Sequence, residues 1–139
     1  MPSKQIANPF GYGGATQDGG GFEYFEAEVG ATAVTVGCVV KFTSGVATGV
    51  VIPAATAVTN ICGISLDAGA PGALVRVVSS GYLPSVPVSS AGVTALDVLT
   101  AGTAGVLTTD GSPAVGTTVA VALETVAGSG SGPVLVKLC

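Results

Sequence analysis

The sequence predicts an all-β protein: a small β-barrel or β-sandwich of two similar halves, with an extended N-terminal arm. Three observations predict it. From Gly30 onward Val, Ile and Thr dominate, and Gly, Pro, Ser or Asn interrupts the run at intervals of roughly 6 to 12 residues. No stretch sustains a helical period; Pro53–Thr59 and Ser90–Ala95 leave room for a short turn and nothing longer. The two halves of the β region also carry matching strings.

The chain has 139 residues, enough for one domain with an arm. We assign residues 1–29 to the arm and 30–139 to the β domain. Met1–Gly21 holds Pro2, Pro9 and six glycines, so ordering it costs much entropy and buries little. Phe22–Val29 (FEYFEAEV) reads as an edge strand or a helical turn. As a strand it places Tyr24, Glu26 and Glu28 on one face.

Candidate strands follow at Cys38–Phe42, Thr48–Ile52, Asn60–Leu66, Ala73–Ser79, Gly81–Val86, Asp97–Thr100, Val106–Thr108, Thr118–Glu124 and Val134–Leu138. Their β-branched residues suit a pleated, half-buried surface. Pro84 and Pro87 cannot donate to a ladder, which puts Tyr82–Val88 on an edge or at a crossing point.

Ile64-Ser65-Leu66-Asp67 matches Val121-Ala122-Leu123-Glu124 at an offset of 57. Leu74-Val75-Arg76-Val77 matches Leu135-Val136-Lys137-Leu138 at 61, which implies a second loop four residues longer. Val39-Val40 and Val98-Leu99 each precede a Gly-containing turn. Either low-complexity β sequence produces these matches, or the domain is a pseudo-duplicated barrel or sandwich with managed edges.

Composition narrows the function classes. Charged residues make up 9 %, against about 25 % in typical globular chains, so the surface is dressed by Ser, Thr and Gly or shared with partners. Mean hydropathy is +0.74, which argues against disorder of the whole chain. Net charge is −4, with four basic residues; no phosphate-tracking patch is expected, hence no nucleic acid. Phe42–Leu66 lacks charge, but glycines, Pro53 and Asn60 break it into short runs, so no membrane helix is expected. The first residues have no apolar signal-peptide core.

The chain has no His, which removes the commonest general base and metal ligand. Ser and Thr lack an activating base, and the Gly-rich stretch Gly11–Gly21 lacks the strand–loop–helix context and lysine of a phosphate cradle. Neither an enzyme nor a cofactor or metal site is expected. Cys38, Cys62 and Cys139 lack metal-clip spacing. They read as buried apolar residues and a terminal thiol, with a Cys38–Cys62 disulfide as the alternative.

The candidate binding residues lie near the N-terminus. Five of the seven aromatics are Phe10, Tyr12, Phe22, Tyr24 and Phe25. Such clustering with little charge marks an interface, or else caps one barrel end. Glu23, Glu26 and Glu28 crowd one segment, which suits a solvated face or basic residues on a partner, not the separated carboxylates of a hydrolase. Our candidate capsid or oligomer interface is Phe10, Tyr12, Phe22, Tyr24, Phe25, Glu26 and Glu28.

One order of motifs carries a resemblance. Gly63-Ile64-Ser65-Leu66-Asp67, the Ala68–Gly72 loop, the strand Ala73–Val78 and Ser80-Gly81-Tyr82-Leu83-Pro84 are followed by Ala95–Thr100, Gly105–Asp110, Val119–Glu124 and Val134–Leu138. Over roughly Gly37–Cys139 this resembles the small bacteriophage capsid cement (decoration) proteins; the arm is an addition to their compact form. The resemblance implies a structural protein on the outer capsid surface of the virion, made in the host cytoplasm. Its partners would be the major capsid protein and itself, as a homotrimer or alternatively a dimer, with no catalytic or cofactor residues. The rival reading is a head-fibre or adhesin module that binds a host receptor or polysaccharide, for which only Tyr82 and Phe42 are available away from the arm.

Overall fold

The computed structural model describes residues 21–43, 50–55, 60–113 and 117–138. The described chain is all-β, and its helical residues are a single 3₁₀ turn, Thr103–Gly105. The strands are β1 (Phe22–Val29), β2 (Val39–Phe42), β3 (Val50–Pro53), β4 (Ile61–Ser65), β5 (Leu74–Pro87), β6 (Val98–Ala101), β7 (Leu107–Thr109), β8 (Ala120–Ala122) and β9 (Ser131–Lys137).

Their order is β1-β3-β2-β4-β5-β9-β8-β6-β7, and β5 also pairs with β1. The first five strands therefore close into a barrel, lobe 1. Strand β5 then runs on into a second set, lobe 2, in the order β5-β9-β8-β6-β7. A parallel bridge, Val88↔Leu107, returns lobe 2 toward its start. It mirrors the parallel pairing of β1 with β3 at Glu28↔Val50 and Val29↔Val51.

The repeat is thus a repeat of topology. The bridge Val34↔Gly69 recurs as Val93↔Val126. The hydrogen bond from Val29 N to Ala73 O (2.8 Å) recurs from Val88 N to Gly130 O (2.9 Å). The bond from Gly37 N to Ser65 O (2.8 Å) recurs from Leu96 N to Ala122 O (2.7 Å).

These pairs correct the register expected for the last strand of each half. Ile64↔Val78 corresponds to Val121↔Leu135, so the offset stays at 57 through the loop and never becomes 61. Both loops have the same length. Arg76 corresponds to Pro133, and the match of Arg76 with Lys137 was a coincidence of composition. A four-residue string match cannot outweigh the ladder, because side chains must alternate in step with the pleat.

Two further expectations change. Ala73–Ser79 and Gly81–Val86 are one strand, because Gly81 (φ +115°) lets the chain pass close to the Phe22 backbone without ending its pairing. Phe22–Val29, assigned to the arm, pairs with β5 over its whole length and with β3 at its end. It is a barrel strand because Ala27 and Val29, both 2 % exposed, bury their side chains in lobe 1. Pro84 lies in a register irregularity between Leu83 and Val86, where no ladder bond is required of it, and Pro87 stands opposite Ser131 as the last residue of the strand.

Two hydrophobic cores hold the lobes. Inside lobe 1 pack Ala27, Val29, Val40, Val51, Val75 and Val77. The second core joins the inside of lobe 2, including Leu99, Leu107, Val134 and Val136, to Val39, Ile64 and Val78 on the outside of lobe 1. Sheet alternation lets β2 and β5 serve both, with Val39 and Val78 pointing one way and Val40 and Val77 the other; in β4 the irregularity opposite Val40–Lys41 turns Cys62 away from the side that Ile64 takes. Each fully buried Val, Leu or Ile contributes about 1.5–3 kcal/mol of transfer free energy.

Cys38 and Cys62 are buried free thiols, not a disulfide. Burial pushes the Cys62 thiol up to about 12 and raises Cys38 as well. They serve as small core residues and are poor nucleophiles.

Candidate functional site

Strand β1 lays out the first candidate surface. Its inward positions are Phe25, Ala27 and Val29, while Tyr24, Glu26 and Glu28 face out. Across the ladder Tyr24 faces Val78, Glu26 faces Arg76 and Glu28 faces Leu74. Phe22 meets Tyr24 with ring centroids 6.2 Å apart and planes tilted by 52°. Tyr24 is 52 % exposed and Leu74 67 %. The face is therefore a mixed stripe of aromatic, carboxylate and aliphatic groups.

Arg76 is the cation of this stripe, and it is already engaged. Its Nε donates to Asp67 Oδ2 at 3.0 Å, and its second guanidinium nitrogen donates to Oδ1 at 2.8 Å. The Arg76 backbone N–H adds a 2.9 Å bond to Oδ2. This fork holds the Asp67 carboxyl at about 2, below the usual range, chiefly through the side-chain hydrogen bond. With Arg76 so tied, Glu26 and Glu28 leave the stripe with an acidic bias.

The structure separates the sequence candidates. Tyr24, Glu26 and Glu28 come together on one face, with Phe22 beside them. Phe25 turns the other way, packs against the lobe 1 core and stacks on Phe42 at 6.1 Å with planes 27° apart. Phe10 and Tyr12 lie outside the described residues.

A second surface escaped sequence reasoning. Tyr82, Leu135, Val121 and Val98 stand in one row across β5, β9, β8 and β6, each opposite the next. Tyr82 is 39 % and Leu135 41 % exposed, and both valines are half-buried. Leu123, just past β8, and Leu96, in the turn before β6, are two further exposed apolar side chains. No charge interrupts the row. The signal was there as the alternation Val134-Leu135-Val136, but only the ladder shows which strands stand side by side.

Near the end of β5 an open groove of about 500 Å³ is lined by Val88, Ser89, Ser90, Thr103, Thr108 and neighbouring backbone. It holds hydroxyls without a titratable group. Among the described residues no cluster of three or more His, Cys, Asp or Glu is placed to hold a metal ion.

The class that this architecture defines is a duplicated five-strand β-barrel protein with two outward faces, one acidic-aromatic and one aliphatic. No protein-family model matches the chain, and no curated protein matches it. Among solved structures it is similar to the crystal structure of the head fiber gp8.5 N base in bacteriophage phi29, with a TM-score of 0.61 and 15 % identity. The likeness covers 84 % of this chain and 94 % of that one. At this identity the two share a fold.

Proposed function

We propose that this chain is a structural, non-catalytic protein of a bacteriophage head. The observation that carries the reading is the likeness to a head-fibre base domain over 94 % of that chain. The order of strand and loop motifs resembling capsid cement proteins supports it independently. In the finer reading the protein decorates the outer capsid surface of the virion, having been made in the host cytoplasm, and self-associates as a trimer or dimer.

The physical logic is linkage. A protein that binds only the assembled shell stabilises it by RT ln(1 + [L]/Kd) per site. Many equivalent sites let modest affinity suffice through avidity. The acidic-aromatic stripe of Phe22, Tyr24, Glu26 and Glu28 suits basic and apolar groups on the major capsid protein. A second reading, the base of a head fibre, is favoured by what the structural neighbour is.

The test is the copy number in purified particles, by quantitative gel densitometry against the major shell protein. A ratio near one, or a simple fraction of it, supports a cement protein covering the head. A small number confined to few sites supports a fibre base. Complete absence from particles overturns the phage-head reading.

A further inference from the structure

The two lobes carry the same row of side chains and treat it differently. In lobe 1 the ladder runs Tyr24, Val78, Ile64, Val39. In lobe 2 it runs Tyr82, Leu135, Val121, Val98. Each is a tyrosine followed by three aliphatic residues, at corresponding places in the repeat. Val78, Ile64 and Val39 are all 0 % exposed, because lobe 2 packs on them and takes them into its own core. Among the described residues nothing covers the lobe 2 row, and Tyr82 and Leu135 stay 39 % and 41 % exposed.

We propose that the lobe 2 row is the docking surface for a second copy of this chain. The free row corresponds, strand for strand, to one whose aliphatic residues the molecule already buries between its own lobes. This fold buries the three aliphatic residues of that row against another five-strand unit of the same kind and leaves Tyr24 52 % exposed at its end, and the free row keeps the aliphatic composition that made that burial favourable. Four strands give an apolar strip about 14 Å wide, free of charge as the cores of self-association interfaces are.

The second copy does not dock as lobe 2 docks on lobe 1, since the residues that lobe 2 uses there are already filled by its own lobe 1. The rows instead meet each other, sheet against sheet, about a two-fold axis. Such an isologous contact closes on itself and avoids open polymers. Tyr82 and Leu135 are its central contacts, as large, partly exposed anchors.

The inference deepens the self-association part of the proposed function and does not need the phage-head part. Sedimentation equilibrium of the purified full chain tests it, whereas particle stoichiometry tests the other. The wild type is expected as a reversible dimer. Leu135→Lys and Val121→Lys are each expected to weaken dimerisation at least about tenfold while keeping the far-ultraviolet circular dichroism of the wild type. Leu74→Lys, on lobe 1 and away from the row, should leave it unchanged.

A monomeric wild type overturns the proposal, as does a dimer indifferent to both row substitutions. If a chain lacking residues 1–20 dimerises where the full chain does not, the row belongs to the chain's own N-terminal segment and the proposal fails. Should a row variant misfold, photo-cross-linking from position 82 decides between the same outcomes: cross-links between two copies at β9 support the proposal, and cross-links only within one copy overturn it.

Discussion

Lobes 1 and 2 share strand order, bridges and the length of the loop before their last strand, yet they solve the same local problems with different residues. At the turn before the second strand, lobe 1 has Gly37 at φ +79° and lobe 2 has Leu96 at φ +73°. At the crowded crossing beside the third strand pair, lobe 1 has Gly63 and lobe 2 has Ala120, opposite Val40 and Leu99 respectively. The Val39-Ile64-Val78 row on the outside of lobe 1 is core, and the corresponding Val98-Val121-Leu135 row of lobe 2 is partly exposed. The backbone is therefore what the duplication keeps, and each side chain adapts to what lies beyond its own lobe.

The sharpest break in the equivalence is Gly63. Its φ of +149° lies in a region nearly closed to other residues, and a Cβ there would run into the Val78 carbonyl. Gly63→Ala is expected to cost roughly 3 kcal/mol, combining backbone strain with overpacking. Urea denaturation measures it as a lowered midpoint. The corresponding residue of lobe 2 is already Ala, at 0 % exposure. A neutral Gly63→Ala would mean that the two crossings are equivalent after all.

Leu96 sharpens the comparison in the opposite direction. A leucine held at positive φ costs about 1–2 kcal/mol, and its side chain is 76 % exposed, so packing returns little. Leu96→Gly copies lobe 1 and is expected to raise stability by about 0.5 kcal/mol, after the entropy that glycine loses on folding. A thermal melt detects it as a rise in Tm; a fall would mean that the exposed leucine is doing more than filling a turn.

The smallest effect is electrostatic and belongs to lobe 1 alone, since Pro133 stands where Arg76 would be. Asp67 titrates at about 2 in the folded chain against 3.8 ordinarily. Its depressed folded value means that the stabilisation is complete above pH 4 and is lost as pH falls toward 2. Both side chains are solvent-accessible (48 % and 32 %), so screening keeps the contribution to about 0.2–1 kcal/mol. Asp67→Asn should flatten the acid limb of stability against pH by that amount; an unchanged limb would remove the fork from the account.

Much of the fold was legible. β-branched runs and punctuation located the strands from Val39–Phe42 to Ser131–Lys137 within a few residues, and the FEYFEAEV alternation identified the face shared by Tyr24, Glu26 and Glu28. The register of the repeat was not legible, because Val, Leu and a basic residue recur too often for four-residue strings to choose between offsets. Phe25 falls on the opposite face by the same alternation; what the sequence hid is the irregularity beside it, where Ser79 of β5 is the extra residue between the partners of Glu23 and Tyr24. The lobe 2 row was hidden because its four residues are far apart in sequence and meet only across hydrogen bonds.

By itself the sequence determined the class of the protein. Period-two hydrophobicity broken by Gly and Pro buries apolar surface in sheets. Tertiary structure decided the rest. Ile64 and Val121 are alike in size, hydropathy and strand position, yet one is core and one is surface. Burial depends on what packs against a sheet from outside, and that neighbour comes from another part of the chain.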